Sequence, residues 1–400
     1  MSVSGEATQL RASHAGRTVF LFSTVMMLDT VFAAAAAPLV PGIADEYGLS
    51  KAQIGVFVAA HSAGAFIGAV LAAFASASIS RKSLLLIGLS VSAVTSVLFG
   101  FADSPFELNV ARFGHGIGSS LSWTAVLAWM TMFSPAKRLG WTVAMAWAAT
   151  ELGSVLGPLL GGITSRTGLA LPFVGIAVVT VLLMVWVFTL KGGGREQRVL
   201  SLRATMRALA TRRIGGSLWI SSLPAFVLGT TGVLVPVQLA NLGWDRFAIG
   251  VIYSVIGVAQ IGVSFLAGRL ADRSVAIPLR IGLIGAGAAA LVLATPWSQE
   301  YWRLPVCLLA IFSAIAFLLA PGTLLISRES RTAQIQQGVA FSLANVGWAP
   351  GAIAGALLGG ILATRVGDSA AFLLVACICL ASLVALEHTR RQPALTANAR

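Results

Sequence analysis

Apolar stretches of about twenty residues, the length that carries a helix across a bilayer, recur along the chain with short polar breaks between them. They lie near 18–41, 51–76, 84–102, 107–133, 140–164 and 170–190, then near 214–240, 246–271, 277–295, 301–327, 336–363 and 369–387. The pattern predicts twelve spanning helices. One long polar segment, KGGGREQRVLSLRATMRALATRR at 191–213, divides them six and six. The chain therefore reads as a six-helix bundle over 1–190, a linker over 191–213 and a second bundle over 214–400. The glycines that open the linker make it flexible, and 199–211 has the pattern of a short amphipathic helix at a membrane surface. Arg11 and Arg17, the first apolar run and the small residues Ala33 to Ala37 together have the outline of a signal peptide. Asp29 interrupts that run and the internal repeat needs this helix, so the segment is expected to be retained.

The two sets of six repeat each other. IGV at 54–56 recurs at 249–251 and Val40-Pro41 recurs as Val235-Pro236, both displaced by 195. Gly140 corresponds to Gly338, and GSVLGPLLGG at 153–162 to GAIAGALLGG at 351–360, both displaced by 198. A parallel repeat of this kind places a binding site near the bilayer midplane.

Composition agrees and narrows the reading. The chain is 57% hydrophobic and 10% charged, with a mean hydropathy of +0.88, too apolar for a soluble protein. Its net charge of +13 takes its meaning from placement. With both termini inside, only Lys51, Arg166, Arg246, Arg303 and Arg365 fall at the outer ends of the predicted helices, and Arg112 lies within one; the other Lys and Arg are at the inner ends. That asymmetry predicts cytoplasmic termini and attraction to anionic lipid headgroups, and it excludes nucleic acid as the partner. Cys377 and Cys379, two apart on a helix, do not share a face and make poor metal ligands; with Cys307 they lie in apolar runs and read as small buried hydrophobes. No phosphate loop and no HExxH motif is present, and GHGIG at 114–118 falls inside an apolar run. The chain is expected to be neither an enzyme nor dependent on a cofactor or metal.

Three charges remain inside the predicted membrane region away from helix ends: Asp29, Arg112 and Glu151. Such groups are costly in a bilayer and mark pathways for substrates or protons. A carboxylate balanced between burial and a neighbouring guanidinium can load and release a proton; the bland alternative is a static ion pair joining the first and fourth helices. His61 and His115 are candidate proton relays. Trp123, Trp147, Trp219, Tyr253, Gln260, Asn345 and Trp348 are candidate cavity residues, since an aromatic face attracts organic cations. The fifth helix combines Glu151 with glycines at four-residue spacing, Gly153, Gly157 and Gly161, followed by Gly162, and with Pro158. Close helix approach explains the glycines, and the second-half copy keeps them while replacing Glu151 and Pro158 by Ala349 and Ala356. Asp29 corresponds in the second half to Pro224, which predicts a break in the seventh helix.

With these residues in hand the chain resembles the major facilitator superfamily over essentially its whole length, and within it the twelve-helix drug:proton antiporters and vesicular amine transporters. LNVARFGHGIGSS at 108–120 looks like the family's arginine motif, with His115 where glutamine is usual. Gly153 to Gly162 fits the antiporter pattern GxxxGPxxGG, and Asp29 before Pro38 resembles the LD…P pattern. GRLADRS at 268–274 matches the start of the cytoplasmic loop signature through Gly268, Asp272 and Arg273, whereas the first-half copy has Ala77 and Ser78 at the signature's Asp and Arg. Asn345 stands where the amine transporters look to carry an acid. The resemblance implies an all-α integral membrane protein with twelve transmembrane helices in two pseudo-symmetric six-helix bundles, monomeric and multi-pass in the plasma (inner) membrane. It implies proton-coupled efflux of a small amphipathic or cationic compound by alternating access. Asp29 and, outside the family's motif, Glu151 would carry the proton in the coupling, with Arg112 responding to their charge state. Two alternatives stand beside it: a uniporter or symporter of a metabolite such as a sugar or organic acid, and a non-transporting receptor or lipid scramblase-like protein.

Overall fold

Each of the twelve predicted apolar runs carries a helix. The computed structural model describes residues 3–76, 78–133, 139–190, 194, 212–295, 300–332 and 337–397. The first run is α1 (Val3–Ala34) followed directly by α2 (Ala36–Tyr47), which continue as one span over Gly16–Tyr47. Then come α3 (Lys51–Ala75), α4 (Arg81–Gly100), α5 (Pro105–Phe133), α6 (Leu139–Thr167) and α7 (Ala170–Thr189). The second set is α8 (Arg212–Asn241), α9 (Arg246–Arg273), α10 (Ala276–Ala294), α11 (Arg303–Thr332), α12 (Gln337–Arg365) and α13 (Asp368–Ala397). Among the described residues, nine helices are long and apolar enough to cross a membrane. Outside that set are α11, which qualifies only over the shorter Arg303–Leu319, and α5 and α6, which hold Arg112, His115 and Glu151. The amphipathic stretch expected at 199–211 lies outside the described residues.

The chain forms two compact units. One comprises Met1–Gly42, Ala60–Met206 and Arg246–Ser254, and the other Ile43–Ala59, Arg207–Asp245 and Val255–Arg400. In the first, α1 packs on α6, and α4 packs on α5 and α7. In the second, α8 packs on α12, and α10 packs on α11 and α13. The duplicated sequence thus folds into duplicated packing. Glycine makes the matching contacts possible: on α6 an added Cβ at Gly153 would lie 2.5 Å from the Met27 carbonyl oxygen of α1, and on α12 one at Gly359 would lie 2.9 Å from the Thr230 methyl of α8. The second unit adds hydroxyl clamps across this face, Ser222 Oγ donating to the Gly347 carbonyl at 2.5 Å and Thr230 Oγ1 to the Gly355 carbonyl at 3.0 Å. At one end of this unit Lys51 Nζ and Gln238 Nε2 take the two carboxylate oxygens of Asp368, at 2.5 and 2.9 Å. The core of the first unit is apolar, centred on Phe22, Leu84, Leu85, Trp129 and Val187, with the Phe22 and Trp129 rings 5.2 Å apart.

Three expectations are corrected here. Pro224 does not break the seventh helix: α8 runs through both Pro224 and Pro236, as membrane helices can where neighbouring helices and Ser or Thr hydroxyls satisfy the freed backbone. Gly268, Asp272 and Arg273 belong to the last turns of α9 rather than to a loop, with Asp272 and Arg273 exposed. Among the cysteines, Cys307 and Cys379 are buried but Cys377 is exposed, because residues two apart face opposite sides of α13.

Candidate functional site

Polar residues recur along α5 every three or four positions, Arg112, His115, Ser119 and Trp123, and so share one face of the helix. Glycines between them set how that face is turned. Added Cβ atoms at Gly114 and Gly118 would lie 2.6 Å from the Thr95 methyl and 2.7 Å from the Gly88 carbonyl oxygen, both on α4. One at Gly116 would lie 2.7 Å from the Ala65 nitrogen on α3, where Ser120 Oγ also donates to the Ala65 carbonyl at 2.6 Å. Both neighbours answer with glycines of their own, Gly88 on α4 and Gly64 and Gly68 on α3. Wedged between α3 and α4, α5 presents its polar stripe to α1.

There it meets Asp29. The Asp29 side chain is 12% exposed, and its Oδ2 accepts hydrogen bonds from Ser119 Oγ and Trp123 Nε1, each at 2.8 Å. Oδ1 faces His115 Nδ1 at 3.8 Å. The His115 ring is buried and lies flat on Phe32 of α1, centroids 3.6 Å apart and planes 7° apart. His61 of α3 follows, its ring 5.6 Å from that of His115. Arg112, also buried, lies one turn before His115, near enough for its charge to bear on both imidazoles. On the other side of Asp29, the Trp123 indole meets Trp147 of α6 edge to face at 5.7 Å. One helical turn beyond the exposed Trp147 comes the half-buried Glu151, which makes no hydrogen bond or ion pair among the described residues.

Asp29, His115, His61, Trp123 and Trp147 are therefore brought together, with Arg112 and Glu151 at either margin. Gly153 and Gly157 face α1 and Gly161 faces the junction of α1 and α2: an added Cβ at Gly157 would meet Val31 and Ala34 and one at Gly161 would meet Ala35 and Pro38, while Gly162 abuts Phe247 and the Pro158 carbonyl abuts Gly250. Tyr253 is buried, and Gln260 and Trp348 are half-buried. Trp219 stands on the surface of its unit, 52% exposed, donating to Ser382 Oγ at 3.1 Å. The Asn345 side chain lies outside the described residues. Sequence reasoning missed Ser119 and Ser122, although their spacing from Arg112 and His115 signalled the shared face. Among the described residues no group of three or more His, Cys, Asp or Glu could hold a metal.

Helices that expose Phe74, Leu98, Phe106 and Leu182 around an enclosed cluster of acid, imidazole and indole define a multi-pass helical membrane protein. The family model described as Major Facilitator Superfamily matches residues 19–335 and 218–399, and the chain belongs to that family of transporters. It is 27% identical over 333 residues to the multidrug resistance protein MdtG of Escherichia fergusonii, covering 78% of this chain and 79% of MdtG. It is 25% identical over 406 residues to the enterobactin exporter EntS of Escherichia coli K12, covering 96% of this chain and 95% of EntS. Among solved structures, a D-xylose-proton symporter matches with a TM-score of 0.74 at 16% identity, covering 92% of this chain and 96% of that one. A POT family transporter in complex with a thioalcohol-conjugated peptide matches with a TM-score of 0.75 at 12% identity, covering 94% and 96%. At these identities the two structures speak for the fold alone.

Proposed function

We propose that the protein is a proton-coupled exporter of small amphipathic or cationic compounds, working by alternating access in the inner (plasma) membrane with both termini cytoplasmic. The observation that carries this reading is Asp29: a carboxylate held inside the first helix, with an indole on one oxygen and an imidazole facing the other. Trp123, Trp147 and Glu151 extend it into an acidic and aromatic half-site suited to an organic cation. Arg112 responds to the charge state of the acids, and the glycine and proline positions from Gly153 to Gly162 shape the helix contacts that must persist while access changes. The multidrug and exporter relatives support export over uptake.

Purified protein in liposomes tests the reading. With an acidic interior, proton exit should drive accumulation of a fluorescent cationic drug, and Asp29→Asn should abolish the part that depends on the gradient. Transport that ignores the gradient and survives Asp29→Asn together with Glu151→Gln refutes it.

A further inference from the structure

Asp29 shows different chemistry at its two oxygens. Oδ2 has two donors, but Oδ1 is buried without a hydrogen-bond partner, and so are His115 Nδ1 and Ser122 Oγ. Buried polar atoms are nearly always satisfied, by protein or by ordered water. All three residues line one cavity of about 20 Å³ inside the first unit, between α1, α4, α5 and α7, to which Ser92 and Thr180 also contribute. One water needs roughly 10–15 Å³ and two to four polar partners. At 3.8 Å, Oδ1 and Nδ1 are too far apart for a direct hydrogen bond, and that spacing is one at which a bridging water is to be looked for.

We propose that a single ordered water occupies this cavity and bridges Asp29 Oδ1 and His115 Nδ1, so that the proton reaches Asp29 on the oxygen turned away from Trp123. The inference rests on the reading of Asp29 as the coupling acid. In the transfer, the N–H bond of a protonated His115 breaks, the water accepts that proton and gives up one of its own, and an O–H bond forms on Oδ1, leaving neutral imidazole, water and carboxylic acid. His115 is thus a positioning and relay residue, stacked on Phe32. Arg112 on its own helix, His61 on α3 and Glu151 on α6 are the other ionisable groups around the cluster, and their charges bear on when the transfer runs. Substrate then meets the indole side of the carboxylate and the proton meets its imidazole side.

The test is infrared difference spectroscopy of the full-length protein in lipid nanodiscs, between acid and alkaline samples, in ordinary and heavy-oxygen water. The expected result is a water O–H band that shifts with heavy oxygen and is lost in Asp29→Asn. It should also be lost or displaced in His115→Phe, which keeps a ring to stack on Phe32 but removes Nδ1. The carbonyl stretch of protonated Asp29 should rise in His115→Phe as it loses its partner. Should His115→Phe fail to fold, His115→Gln replaces Nδ1 by an amide at another position and must move the same water band. A spectrum insensitive to heavy oxygen, or a water band indifferent to both variants, overturns the bridge. If that happens while gradient-driven transport still depends on Asp29, the coupling acid stands and the water alone falls; a water band without proton-linked transport supports the bridge and refutes the coupling.

Discussion

A methyl group at Gly157 tests the packing that holds Asp29 in place. The added Cβ would lie 2.7 Å from Ala34 Cβ and 2.7 Å from the Val31 carbonyl oxygen, where carbon contacts settle near 3.5–4.0 Å. Relief requires α1 and α6 to separate by about 1 Å, and overpacking of this kind costs about 1–3 kcal/mol. Replacing a mid-helix glycine by alanine also returns about 0.5–1 kcal/mol through backbone entropy. Gly175 on α7 supplies the control: it too is helical and an added Cβ there meets nothing within 4 Å. The entropy gain is common to both substitutions, so the difference between Gly157→Ala and Gly175→Ala isolates the overpacking, about 1–3 kcal/mol. Thermal unfolding of both variants in the same detergent reads it, with Gly157→Ala below the parent protein and Gly175→Ala at or above it. Transport should fall in Gly157→Ala as well, because Asp29 moves with α1. Equal unfolding midpoints for the two variants would refute the claim that the glycine stripe is there for close approach.

Thr230→Val keeps the shape of the side chain but removes the hydroxyl clamp to Gly355. It should lower stability by about 0.6 kcal/mol, the average for a hydrogen bond between membrane helices, and chemical denaturation in mixed micelles checks it. Trp123→Phe keeps an aromatic ring against Trp147 but removes the donor to Asp29. Loss of a charge-assisted bond of about 1.5 kcal/mol should slow gradient-driven transport about tenfold, and Trp147→Phe, which leaves that donor in place, should slow it less.

The helices and their duplication were legible because lipid imposes a length on every spanning segment, and a duplicated gene keeps its glycine spacing. Asp29, Arg112 and Glu151 stood out because charge inside an apolar run is rare. Which groups Asp29 would meet was not legible, since that depends on which helices pack and how each is rotated. Ser119 and Ser122 escaped notice because hydroxyls are common in membrane helices, where most bond their own carbonyls, as Thr30 and Thr150 do here. Pro224 misled because a proline's missing donor reads as a break in one chain, whereas α8 has neighbours on several sides. The glycines of GHGIG were read as part of the arginine motif and as no phosphate loop, but not as points of helix contact. Their contacts with α3 and α4 became visible once three helices were seen together.

Those contacts give α5 a narrow angular tolerance. Its polar side chains end about 6 Å from the helix axis, so a rotation of some 20° would sweep each tip through about 2 Å. That is enough to undo both 2.8 Å bonds to Asp29 and to slide His115 off Phe32 in a single movement. Glycines pressed against backbone on two flanks leave no room for such a turn. A change in specificity is therefore easier to reach by exchanging side chains along the stripe than by altering Gly114, Gly116 or Gly118, where one methyl would re-aim every functional group on the helix at once.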